Sequence, residues 1–255
     1  METSSTSFLE LIKDLQYRLD KQSEVNTKLW WEKYMRNTSL FRGTNLIRIR
    51  QELFNWYKEK NIDELSIDDK IDIIFVLFGE RYSEDKIAGI LFLEEYIIPQ
   101  NLPSWQILLK RFEILFEKGW INDWNVCDWF CIRVLGKLII NHGKDCAICI
   151  SKWSKSQNLW QARGSVVSFA NFAKTKNQNK HFEEMVELIL SSCSILIKRE
   201  ERFAKTAVGW ILRELSIIYK KEVLLFIERY VDYFSKESLK NATSKMDIDH
   251  KEKRK

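Results

Sequence analysis

Four short stretches hold the residue types able to do chemistry: Tyr34-Met35-Arg36-Asn37, Trp124-Asn125-Val126-Cys127-Asp128, Trp160-Gln161-Ala162-Arg163 and Ala207-Val208-Gly209-Trp210-Ile211-Leu212-Arg213-Glu214. Asp128 beside large π faces can stabilise positive charge as it develops. The planar fork of Arg163 suits a phosphate. Spacing turns the fragments into a pattern. Asp128 and Arg163 are 35 residues apart, and Arg163 and Trp210 are 47 apart, while two-helix repeats have periods of roughly 34 to 47 residues. Residues recurring at that period lie on equivalent helices and can share one concave face of a solenoid.

Each of these residues also has a plainer reading. Asp128 sits among Val126, Cys127, Trp129, Phe130, Cys131 and Ile132, beyond the first helical turn where a carboxylate simply favours the dipole. It is either a salt-bridge partner of Arg133 or Arg163, or an anion kept for chemistry. Trp124 favours the second reading, because at i−4 it shares the helix face with Asp128. Arg163 is a partner of Asp128, a phosphate clamp, or both. Trp210 taken alone reads as core, but Gly209 before it lowers helix stability by about 1 kcal/mol relative to Ala, so something approaches closely there. Tyr34 alone is uninformative. His142, His181 and His250 lie near helix ends, in a loop or in the tail, so no catalytic dyad is expected, and no Gly-rich phosphate loop is present.

Positioning these residues falls to helices, because apolar residues recur at helical spacing almost throughout. Helices are predicted over residues 7–19, 25–36 and 46–60. The next runs from a cap at Asp68 or Asp69 to Leu77, and another from a cap at Ser83 to Ile98, where Pro99 ends it. Pro103 marks the first turn of a sixth, closed by Gly119. Asp123 caps a helix running to Asn141, Gly143 breaks the chain before one ending at Trp153, and Asn158 caps one ending at Phe172. After a polar loop at 174–180 come helices over 182–197, 202–219 and 222–234, and a short last one capped by Ser235. Asp128 lies five residues past Asp123 and Arg163 five past Asn158. The two therefore hold matching positions in successive repeats, on helices that pack ~8–10 Å apart. The fold class is all-α, an α-solenoid rather than a bundle.

Composition agrees. Two prolines and eight glycines in 255 residues argue against a turn-rich sheet protein. No apolar run approaches the roughly 18 residues of a membrane span, and the polar N-terminus lacks the order of a secretion signal. An odd cysteine count of five points to a reducing compartment, with nucleus and cytoplasm both open. Cys146-Ala-Ile-Cys149 matches a metal pair only formally and reads as buried structural thiols. A net charge of +5 permits a polyanionic partner without demanding one. Residues 1–240 read as one domain and 241–255 as a disordered basic tail.

Taken in order, the four stretches resemble the AlkD-type DNA alkylation repair family of helical-repeat DNA glycosylases, over about residues 8–240. That family's Tyr-Met-(Lys/Arg)-Asn element looks like Tyr34 to Asn37, followed by an aromatic-and-Gly segment at Leu40-Phe41-Arg42-Gly43. Its Trp-x-x-x-Asp is matched by Trp124 and Asp128, and its Trp-x-x-Arg by Trp160 and Arg163. Ala207 to Glu214 match Ala-(Ile/Val)-Gly-Trp-x-Leu-Arg-Glu. The resemblance implies HEAT-like two-helix repeats with a concave basic groove. It also implies hydrolytic excision of cationic N3- or N7-alkylated purines from duplex DNA, by a monomer using no metal or cofactor. In that light Asp128 is the catalytic carboxylate, Trp124 and Trp210 act with it, and Tyr34, Arg163 and Arg213 contact DNA. Breaking the glycosidic bond of a cationic base builds an oxocarbenium-like sugar, as in glycoside hydrolysis. The family acts on the lesion while it stays in the stack, unlike base-flipping enzymes.

The sequence departs from the family at Asn125-Val126-Cys127, at Thr206 where a Lys is usual, and at Leu46–Arg50, which lacks the usual Pro and paired basic residues. These bear on DNA affinity and lesion range more than on the catalytic group. Two further readings stand beside the enzyme: a non-catalytic protein that binds distorted or branched DNA, and a helical scaffold for a protein partner. Pure binding gains nothing from a carboxylate facing phosphates, which sets Asp128 against the first of them.

Overall fold

Every helix expected from the apolar periodicity is present in the computed structural model, which describes residues 2–100, 104–171 and 180–246. In chain order they are α1 (Glu2–Lys21), α2 (Val25–Tyr34), α3 (Leu46–Glu59), α4 (Ile67–Gly79), α5 (Ser83–Phe92), α6 (Trp105–Glu117) and α7 (Trp124–Phe130). They continue with α8 (Gly136–Ser151), α9 (Leu159–Val167), α10 (Lys180–Leu196), α11 (Arg202–Leu215), α12 (Lys220–Tyr230) and α13 (Lys236–Thr243). Among the described residues the only β pairing is an isolated bridge between Leu40 and Tyr82. The fold is all-α. Pro103, most of the 174–180 loop and residues 247–255 lie outside the described residues.

Several boundaries differ from expectation for local reasons. α2 stops at Tyr34 rather than Arg36, because Arg36 and Asn37 adopt left-handed φ of 53° and 56°. The Asn37 N–H then reaches back to the Glu32 carbonyl at 2.7 Å, a helix-closing bond. α4 is capped by Ser66, whose hydroxyl accepts from the Asp69 N–H. Asp68 and Asp69 fall in the first turn, where their charge complements the helix dipole. Ser83 is the first residue of α5 and the cap position belongs to Tyr82, which makes no side-chain cap bond.

The single helix expected from Asp123 to Asn141 is interrupted by a wide i→i+5 turn at Cys131–Leu135. Gly143, at φ 67° and ψ −145°, breaks α8 where the sequence placed a break, and Gly119 at φ 67° closes α6. Asp123 and Asn158 are caps, accepting from Val126 at 2.9 Å and from Trp160 and Gln161 at 2.9 and 3.1 Å.

The chain divides into two compact units, Met1–Trp129 and Phe130–Lys255. In the first, α1 packs on α3, and α3 on α5. In the second, α8 packs on α10, α9 on α11, and α11 on α13. In each of these pairs a helix lies on the one two places later, the register of stacked two-helix repeats. α5 is buried along its whole length, polar first turn included.

Gly209 shows what the α11–α13 contact requires. A Cβ there would sit 2.5 Å from the Ser238 carbonyl oxygen and 3.0 Å from its Cα. The close approach foreseen at Gly209 is thus the backbone of α13. That helix is fixed by a capping box between Ser235 and Ser238, and beyond it Ala242 and Met246 are buried. Packing therefore extends past residue 241, where the sequence placed the start of a disordered tail. On an isolated helix Gly→Ala stabilises by about 1 kcal/mol. Gly209→Ala is expected to do the opposite and destabilise by about 1–3 kcal/mol, measured as a lower urea midpoint at unchanged slope. A neutral or stabilising result would mean that α13 does not press on Gly209.

Candidate functional site

In the first unit, the end of α2 and the start of α7 bring Tyr34 and Trp124 together. Their rings meet edge to face at 5.7 Å. Asp128 follows one turn later on the Trp124 face and is only 9% exposed. Tyr34 also stacks on Trp30, with centroids 5.0 Å apart and planes within 12°. Trp31 meets Tyr34 edge-on at 5.8 Å and stacks on Phe41 at 5.5 Å. The aromatic cluster is therefore larger than the sequence motifs suggested. Trp30 was readable, because it precedes Tyr34 by four residues and so shares its helix face.

One carboxylate holds the two segments together. Asp123 Oδ1 accepts the Val126 N–H that starts α7, and Oδ2 accepts the Ser39 hydroxyl at 2.7 Å. The segment following, Phe41-Arg42-Gly43-Thr44, is seated on the buried first turn of α5. Glu84 accepts the N–H groups of Arg42, Gly43 and Thr44 at 2.9, 2.8 and 3.2 Å. Burial pushes the Glu84 carboxyl up, against the pull of those N–H groups. The Arg42 fork donates to Asp85 at 2.8 Å and to Asp20 at 2.5 Å. Even so, burial raises the Asp85 carboxyl to about 6. Gly43 needs its φ of 103°, and any Cβ would strike the Glu24 carbonyl. Beneath the rings is a hollow of about 50 Å³ bordered by Trp31, Phe41, Asn125 and Trp129, roomy enough for water but not for a purine.

The other three candidates belong to the second unit and converge on α11. Arg163 on α9 is 5% exposed. Its guanidinium donates to the Phe203 carbonyl at 2.7 Å and faces the Thr206 hydroxyl at 3.4 Å, and Trp160 packs on the Phe203 ring at 5.2 Å. Trp210 is half-buried, with an indole N–H that is buried and lacks an acceptor among the described residues. Arg213 places two donors on Glu214 Oε1, at 2.9 and 2.7 Å, and a third on Asn241 at 3.0 Å. Lys245 takes the other Glu214 oxygen at 2.6 Å. Burial favours protonating Glu214, but Lys245 and Arg213 outweigh it and hold the carboxyl below its usual range. Within Ala207–Glu214, Gly209 and Glu214 thus serve the α11–α13 contact.

The thiols fit a structural role: Cys146 is buried, and burial pushes it up to about 12. Among the described residues no group of three or more His, Cys, Asp or Glu side chains could hold a metal ion, and no helix is long and apolar enough to cross a membrane.

The model of a family described as DNA alkylation repair enzyme matches residues 15–246 of the chain. A predicted DNA alkylation repair enzyme from Enterococcus faecalis has a similar structure, with a TM-score of 0.73 at 15% identity, over 89% of this chain and 98% of that one. At that identity the likeness concerns the fold. No curated protein matches the chain.

Two predictions follow from the supports of the ring cluster. Asp123→Ala removes a helix cap and the Ser39 bond, and is expected to destabilise by about 2 kcal/mol; a urea midpoint matching the wild type would refute the tether. Asp85 titrates near 6 in the folded chain against an ordinary 3.8. Between those values the folded state holds more protons, so the Asp85 contribution is present at low pH and lost as pH rises from about 4 to about 6. Asp85→Asn lacks that slope. Its stability relative to wild type should therefore improve by up to about 3 kcal/mol across that window and then level off. A difference that stays flat with pH, read from urea unfolding, would contradict the assignment.

Proposed function

The chain belongs to the DNA alkylation repair enzyme family, and from that premise we propose that it is a monofunctional DNA glycosylase excising cationic N3- or N7-alkylated purines from duplex DNA. The observation carrying this reading is the Asp128 carboxylate, nearly buried one helical turn from Trp124, with the Tyr34 ring on Trp124 at 5.7 Å. A carboxylate held beside aromatic faces is placed to meet positive charge as it develops. Hydrolysis of a cationic nucleoside uses it. The base leaves with the electron pair of the glycosidic bond and so becomes neutral. The sugar is left oxocarbenium-like, and water adds at C1′ and gives up a proton. Asp128 stabilises the sugar cation and orients the water, while the faces of Trp124 and Tyr34 favour positive charge. A leaving group that is already cationic needs no general acid, so one carboxylate suffices.

The resemblance adds Trp210 to the catalytic residues, and Arg163 and Arg213 to the DNA contacts. Arg213 would act as an oriented charge, since Glu214 and Asn241 fix its fork. HEAT-like repeats with a concave basic groove, a monomer and an intracellular setting complete the proposal, which calls for no cofactor.

The test is release of 7-methylguanine from methylated duplex DNA. The wild type is expected to release it, and Asp128→Asn to do so at least ~100-fold more slowly, about 2.7 kcal/mol of barrier. No release by wild-type protein that still binds DNA in a salt-sensitive way would replace the glycosylase with a DNA-structure binder.

A further inference from the structure

α2 differs from the helices around it in having no buried residue among its ten. Apart from half-buried Trp31, its apolar side chains face water: Val25 is 73% exposed, Leu29 57%, Trp30 57% and Tyr34 54%. An apolar stripe of that kind marks an interaction surface, and three features identify the partner as nucleic acid. Trp30 stacks nearly parallel on Tyr34 and meets Trp31 at a right angle, yet more than half of it stays exposed, which leaves indole surface available to another flat ring. The stack is continuous with the candidate site, since Tyr34 touches Trp124 and Asp128 lies one turn on. Lys33 and Arg36, beside Tyr34, are exposed, and neither is paired with a carboxylate among the described residues. Aromatic faces interleaved with free cations match bases and phosphates.

We infer that Trp30 is a nucleotide-stacking residue. Its outer face receives a base that has lost its neighbour, and Lys33 and Arg36 meet the adjoining phosphates. The inference deepens the glycosylase reading and rests on it for the identity of the DNA: removing a purine leaves a gap in the stack, and the bases bordering the gap expose the faces that Trp30 can cover. Trp30 would thus hold the abasic product and the strand bordering the lesion, without touching the reacting sugar.

The probe is a fluorescein-labelled duplex with a central tetrahydrofuran residue, an abasic analogue, compared with the same duplex intact, by anisotropy. Stacking on an aromatic side chain is worth about 1–3 kcal/mol per base. Trp30→Ala is therefore expected to raise the Kd for the abasic duplex at least ~10-fold and that for the intact duplex much less. Trp30→Phe should restore most of the affinity. Lys33→Ala and Arg36→Ala should weaken both duplexes and each lower the salt dependence by about one counterion. Trp30→Ala binding the abasic duplex as tightly as wild type would overturn the inference. So would an equal loss on both duplexes, or conversion of a self-associated wild type to monomer, which would make the stripe a protein contact.

Base release is measured on the same wild-type preparation, so the two readings separate. Release with no Trp30 effect sinks only the stacking role. A Trp30 effect without release sinks the glycosylase and keeps the stacking residue.

Discussion

The two oxygens of Asp123 have different tasks, and the first unit is organised around that division. One oxygen supplies the acceptor for the first turn of α7, and the other holds Ser39, 84 residues earlier in the chain. Without this carboxylate the Ser39 segment and the start of α7 would lose a directional link, and the Tyr34–Trp124 contact would rest on packing. Its neighbour Lys86 is buried and donates to the carbonyls of Phe78 and Trp120, linking the end of α4 to the turn before α7. Burial lowers the Lys86 pKa, and the Asp123 charge works against that shift. A short polar network beneath the rings thus does what hydrophobic packing cannot, which is to fix the direction of the groups it joins.

The sequence motifs divide into residues that can act and residues that hold them. In Tyr34–Asn37 the ring belongs to the first class, while Arg36 and Asn37 supply the left-handed backbone that ends α2. In Phe41–Gly43, Arg42 is bound by Asp85 and Asp20, and Gly43 is required by the nearby Glu24 carbonyl. In Ala207–Glu214, Gly209 admits α13 and Glu214 gathers Arg213 and Lys245. Much of the four-part resemblance is therefore a resemblance of supports, and the residues proposed to act are set among them.

What could be read from the sequence was local. Helical periodicity, the caps Asp123, Asn158 and Ser235, and the glycines at 119 and 143 all act within a few residues of themselves. Ser66 was overlooked because the two acidic residues of the following turn mimic caps. The wide turn at Cys131–Leu135 was overlooked because it contains no Gly or Pro and Gly136 follows only at its end. The deeper gaps are long-range. Glu84 and Asp85 read as ordinary first-turn acids, and only folding shows that their partners lie 40 to 43 residues away at Arg42, Gly43 and Thr44. Likewise, nothing near Arg213 announces that Asn241 and Lys245 would complete its surroundings.

The fit of α13 against Gly209 also bears on how this protein behaves in water. Ser238 and Ala242 turn inward and are buried, while Lys236, Glu237 and Lys240 face solvent. α11, whose apolar side chains would otherwise present a sticky ridge, is thereby given a charged covering. The helix works as a lid on an adhesive edge, much as terminal repeats in solenoids carry a polar outer face to stay soluble. Shortening the chain ahead of Ser235 would uncover that ridge and strip Glu214 of Lys245, so aggregation during expression would be its first symptom.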